Sequence, residues 1–121
     1  MSVLASEGPE YREQVEEALL RDDPMELMDV ITDVALEAEE WNFAQACCVQ
    51  LSRHRNAMVR GNAVQGFGHI ARRFGRLDPH IVRRLVDRAL HDRSEYVREQ
   101  ALSAADDLET FLSWVFERPN S

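Results

Sequence analysis

Apolar or very small residues fall at Val59, Ala63, Gly66, Phe67 and Ile70, the spacing of one buried helix face. The pattern returns 38 residues later, with Val97, Ala101, Ala104 and Leu108 matching Val59, Ala63, Gly66 and Ile70, and Arg98 matching Arg60. An amphipathic segment precedes each copy, so the repeating unit is a helical hairpin. Read in order, the chain enters a first helix between Ser6 and Pro9, with a stripe of Tyr11, Val15, Ala18 and Leu19 and Leu20 beside it. Asp23 then caps a second helix over about 24–37, with Pro24 at its first position. Its apolar face is Leu27, Ile31, Val34 and Ala35, widened by Met28, Val30 and Ala38.

A third helix begins near Trp41 or Asn42 and carries Phe43, Ala44, Cys47, Cys48 and Leu51. The fourth contains the first strong copy and ends near Phe74, where Gly75 is a ready C-cap. Asp78-Pro79 repeats the start signal of the second helix; Ile81, Leu85 and Leu90 then line a fifth, with Val82, Val86 and Ala89 widening the face. A sixth continues from Tyr96 towards Val115. Leu108, Phe111, Leu112, Val115 and Phe116 are expected to cover an open end, and residues 117–121 to fray. The expected fold is all-α: one domain over 1–121, with a degenerate first hairpin at about 7–38 and repeats at about 41–75 and 78–116. No stripe can be buried alone, but stacked neighbours make one continuous core.

The two strong copies resemble HEAT repeats, in which the second helix of a hairpin opens with Val-Arg and continues with small residues and a leucine or isoleucine. The resemblance implies a short right-handed α-solenoid. It also places Asp92 at the loop aspartate position, facing Arg98, whereas the preceding copy has His54 there. More narrowly, Gly68-His69-Ile70-Ala71-Arg72, Leu77-Asp78, Val97-Arg98 and Asp106-Asp107-Leu108-Glu109 with Phe111 are similar to small stand-alone bacterial HEAT proteins. Some of these are immunity proteins beside polymorphic or contact-dependent toxins. That likeness implies a cytoplasmic protein that binds and neutralises a toxin domain; the alternative is a general scaffold or regulatory adaptor.

Charge bears on the partner. Residues 1–50 hold thirteen acids against two arginines, a net of -11, while residues 51–105 hold eleven arginines against five acids, a net of +6. The acidic half favours a basic protein partner, such as a nuclease toxin, and disfavours specific nucleic-acid recognition. Glu13, Glu16, Asp29 and Asp33 are its candidate contacts. The start of the chain lacks the basic and apolar runs of a signal peptide, and no span approaches the ~20 apolar residues that cross a bilayer, so a cytoplasmic location without membrane contact is expected.

A second candidate surface is the ridge opposite the core on the organising helix, Asn62, Gln65, His69 and Arg73, continued in the next copy by Gln100, Ser103, Asp107 and Thr110. His69 and Asp107 occupy corresponding positions, but a His–Asp pair without a nucleophile is no hydrolase site. Asp106 is expected to meet Arg72, Arg73 or Arg76. The adjacent Cys47 and Cys48 read as packing residues, and the four histidines lack structural-zinc spacing. No enzyme activity, cofactor or metal is expected.

Overall fold

The computed structural model describes residues 8–119; Ser6 and Glu7, expected at the entry to the first helix, lie outside them. These residues form six helices and no strand: α1 (Gly8–Arg21), α2 (Pro24–Glu37), α3 (Trp41–Leu51), α4 (Ala57–Phe74), α5 (Pro79–Ala89) and α6 (Glu95–Leu112). The start signals operate as local chemistry requires. Asp23 and Asp78 accept from backbone amides of the first turns of α2 and α5, each with proline in that turn. Asn56 caps α4 through two amides, Ser94 caps α6, and Gly75 closes α4 in the left-handed conformation at φ 67°.

α4 is the hub. It touches α2, α3, α5 and α6, while α2 and α6 do not touch each other, so α4 lies between them. Every helix also packs against the next in the chain, α1 on α2, α2 on α3, α3 on α4, α4 on α5 and α5 on α6. Phe67, Ile70, Val59 and Val64 of α4 are fully buried, together with Leu27, Leu90, Val97 and Leu108 from neighbouring helices. At Gly66 a Cβ would sit 2.7 Å from the Cys48 sulfur, inside contact distance, so the close crossing of α4 on α3 requires the missing side chain. Cys47 and Cys48 are both buried free thiols. Burial pushes the Cys47 thiol up to about 12 and raises Cys48 as well, so neither presents a thiolate at neutral pH.

Several expectations are corrected. Ile81 is 40% exposed, because α5 turns Val82, Leu85, Val86 and Ala89 inward and leaves its first turn open. Leu20, placed beside the α1 stripe, is 85% exposed. α6 stops at Leu112, where Ser113 adopts φ 60° and its amide bonds back to Leu108. Of the residues expected to cover the open end, Leu108 and Phe116 are buried and Leu112 partly so, but Phe111 and Val115 face solvent. The described part of the tail is held: Arg118 grips Glu109 at 2.7 Å and Asp106 at 2.7 Å. Asp106 therefore pairs with the tail that follows α6, not with Arg72, Arg73 or Arg76.

Candidate protein-binding surfaces

The first surface is the acidic side of α1 and α2. Glu13, Glu16 and Glu17 fall three and four residues apart on α1, a spacing that gathers them on one exposed helix face. Asp29 and Glu37 are the exposed counterparts on α2. None of these five has an ion-pair partner among the described residues. Other acids of the same half are engaged. Glu26 holds Arg21, Glu40 holds Arg12, and Asp22 takes both His54 and Arg55. Asp33 is half-buried and accepts from the Tyr11 hydroxyl at 3.3 Å, so it belongs to the α1–α2 packing more than to the free face. Burial and then the Asp33 charge push the Tyr11 phenol up, which keeps it protonated as the donor.

Two apolar side chains stand beside these acids, Leu20 at the end of α1 and Met25 in the first turn of α2, 85% and 73% exposed. Composition could not find them, since a leucine next to a buried stripe reads as core. Only the rotation of α1, which buries Tyr11, Val15 and Ala18, shows Leu20 to be outside it.

The second surface is the α4–α6 ridge. Asn62, Gln65 and His69 line a narrow groove with Ile31, Thr32, Ala35 and Leu36 of α2. The three ridge residues are half-buried, and Leu36 remains 46% exposed. The Tyr96 hydroxyl donates to the Asn62 side-chain oxygen, tying the ridge to the start of α6. Burial holds the His69 imidazole below its ordinary value; Arg72 adds to the effect and Asp107 opposes it. His69 makes no hydrogen bond to Asp107, whose carboxylate accepts from Arg72 at 3.3 Å. A Cβ at Gly68 would lie 2.5 Å from an Asp107 oxygen, so Asp107 lies over α4 at that glycine. Gln100 is half-buried against Gly61, while Ser103 and Thr110 are exposed.

Arg73 is less available than the ridge reading supposed. Its guanidinium donates to the carbonyls of Ala35 at 2.9 Å and Ala38 at 2.6 Å, satisfying the end of α2. The loop ion pair is also rearranged. Asp92 receives Arg60 in a two-pronged contact, at 2.8 and 2.9 Å, while Arg98 donates to the Asp92 backbone carbonyl instead. The acid thus binds the arginine of the preceding copy, 32 residues away, a choice that local spacing cannot reveal.

Among the described residues, no group of three or more His, Cys, Asp or Glu side chains is placed to hold a metal ion, and no helix is long and apolar enough to cross a membrane. Comparison with known protein families, curated proteins and solved structures finds no match.

Proposed function

We propose that the chain is a HEAT-like protein-binding module that neutralises a basic bacterial toxin domain by covering its active or substrate-binding surface. The observation that carries this is the acidic face of Glu13, Glu16, Glu17, Asp29 and Glu37, without ion pairs among the described residues, with exposed Leu20 and Met25 beside it. Charges that the fold does not use attract a basic partner and orient it, and a desolvated apolar anchor supplies much of the holding energy. Support for the HEAT-like reading comes from six helices that each pack on the next, with α4 between α2 and α6. The ridge of Asn62, Gln65, His69, Gln100, Ser103 and Thr110 offers further polar contacts. No catalytic step is asked of this chain.

The test begins with affinity capture from the source cell and identification of what is bound. A basic toxin domain, inhibited at one-to-one stoichiometry by the purified protein, is the expected result. Capture of unrelated housekeeping proteins, with no toxin inhibited, would replace this reading with that of a general adaptor.

A further inference from the structure

The arginines divide sharply by use. Arg12, Arg21, Arg55, Arg60, Arg72 and Arg118 hold carboxylates, Arg73, Arg83 and Arg98 donate to backbone carbonyls, and Arg76 lies 4.3 Å over the Trp41 ring. Only the side chains of Arg53, Arg84, Arg88 and Arg93 make no hydrogen bond, ion pair or ring contact among the described residues. Three of these four meet at one place. Arg53 and Arg93 line an open cleft of about 370 Å³ with His54, Arg55, Arg60 and Asp92. Arg88 lines an adjoining hollow of about 190 Å³ that shares Arg53, Arg60 and Asp92. Five arginines thus line the cleft and hollow with one carboxylate, Asp92, while a second, Asp22, holds Arg55 from the side, in a molecule whose formal charge is -8.

The base of the cleft is fixed. Asp92 is saturated by Arg60 and by the Ser94 amide at 2.9 Å, and Arg60 also donates to the His54 carbonyl at 3.0 Å. The His54 ring is only 8% exposed and bonded to Asp22 at 2.6 Å. Asp92 also feels the charge of Arg93, but one carboxylate bound by Arg60 cannot balance Arg53, Arg88 and Arg93 together.

We propose that this cleft binds a compact polyanion carrying two or three linked phosphates. Guanidinium forks match phosphate oxygens in geometry and charge, and the volume is within the range of small-ligand sites. An extended anion fits poorly. Arg55 on the rim is already held by Asp22 at 2.7 Å, and exposed Glu95 follows Arg93 by two residues in the chain, so a long nucleic acid or acidic peptide would meet like charge.

Titration calorimetry with inorganic tripolyphosphate, at fixed ionic strength, tests the assignment. Saturable one-to-one binding is expected, weakened at least tenfold in R53Q/R93Q and measurably in R88Q. The variants alter exposed side chains, and their helical spectrum and melting point are checked first. R72Q, in the last turn of α4 and outside the cleft, should bind as the unaltered protein does. A nucleoside triphosphate run alongside distinguishes the source of the phosphates: equal affinity identifies free polyphosphate, and tighter binding lost in the same variants identifies a nucleotide. Absence of saturation, equal binding by R53Q/R93Q, or tighter binding of an oligoglutamate or an oligonucleotide than of tripolyphosphate would overturn the proposal.

Discussion

At the seam between α4 and α6, Asp92 is gripped by both prongs of Arg60, and the two side chains are only 15% and 12% exposed. At the seam between the first and second helix pairs, the turn acid is Asp22, 38% exposed, held by the imidazole of His54 and by a highly exposed Arg55. The helices are apposed differently as well. Tyr96 and Asp107 of α6 close onto α4 over Gly61 and Gly68, whereas α2 is fastened to α4 through Arg73 on its terminal carbonyls. One seam rests on a shielded guanidinium with both prongs on one acid; the other shares its acid between a buried imidazole and a solvent-screened arginine. The two junctions should therefore differ in strength, the weaker being the one that joins the acidic pair to the rest.

Removing the shared carboxylate from each seam tests this directly. Asp92→Asn leaves Arg60 without its ion-pair partner and should cost about 2–3 kcal/mol in urea unfolding. Asp22→Asn should cost clearly less. Asp22 sits at φ 54°, a conformation asparagine also tolerates, so that substitution reports charge and not backbone strain. Equal losses at the two positions would dissolve the comparison.

Packing gives a second test, at the crossing that holds both seams in register. Gly66→Leu must displace the Cys48 sulfur and then Ala35, whose Cβ lies 3.7 Å from the position a new Cβ would take. Overpacking of this kind typically costs about 1–3 kcal/mol. Unchanged unfolding stability would mean that α4 does not approach α3 as described.

How much of this was legible in the chain depends on the range of each interaction. Asp23-Pro24, Asp78-Pro79 and Gly75 declare helix ends through contacts within a few residues, and all three ends are where these signals place them. The stop of α6 at Ser113 was missed because a left-handed serine carries no glycine signal. The partners of Asp92, Arg73 and Asp106 were missed for another reason. Each had several arginines or acceptors within plausible reach, and only the packing of helices chooses among them. On the acidic side, Glu13, Glu16 and Asp29 were readable as a charged face, while Leu20 and Met25 required the rotation of each helix about its axis.

Acid should separate the seams a third way. The Asp92 carboxyl is held below its usual range first by the Arg60 hydrogen bond, and Asp22 first by His54 and then Arg55. A depressed folded-state pKa means that the unfolded chain takes up the proton more readily. The stabilisation is therefore fully present above the unfolded value of about 3.9 and lost as pH falls through the lower folded value. Urea midpoints measured from pH 6 downward should fall for the unaltered protein and fall less steeply for Asp92→Asn, with a smaller flattening for Asp22→Asn. Parallel curves for all three proteins would show that neither carboxylate carries the acid response.

The smallest effect is expected where the weaker seam presents its free charges to a partner. Changing Glu13, Glu16 and Asp29 to amides removes three exposed acids that make no ion pair or side-chain hydrogen bond among the described residues, Glu16 acting on the Cys47 thiol through its charge. Stability and helical content should hardly move, while association with a basic partner should slow several-fold at low salt and progressively less as salt screens the unaltered protein too. Asp33→Asn behaves differently in this picture, because its oxygen serves Tyr11, so part of its effect should appear in stability. Substitution of Leu20 or Met25 by serine should act mainly on dissociation, since an apolar anchor holds a formed complex and does little to steer its encounter. Rates measured at two salt concentrations distinguish these roles. An association rate indifferent to the three amides would assign the acidic face to solubility and move the partner contact to the ridge of Asn62, Gln65 and His69.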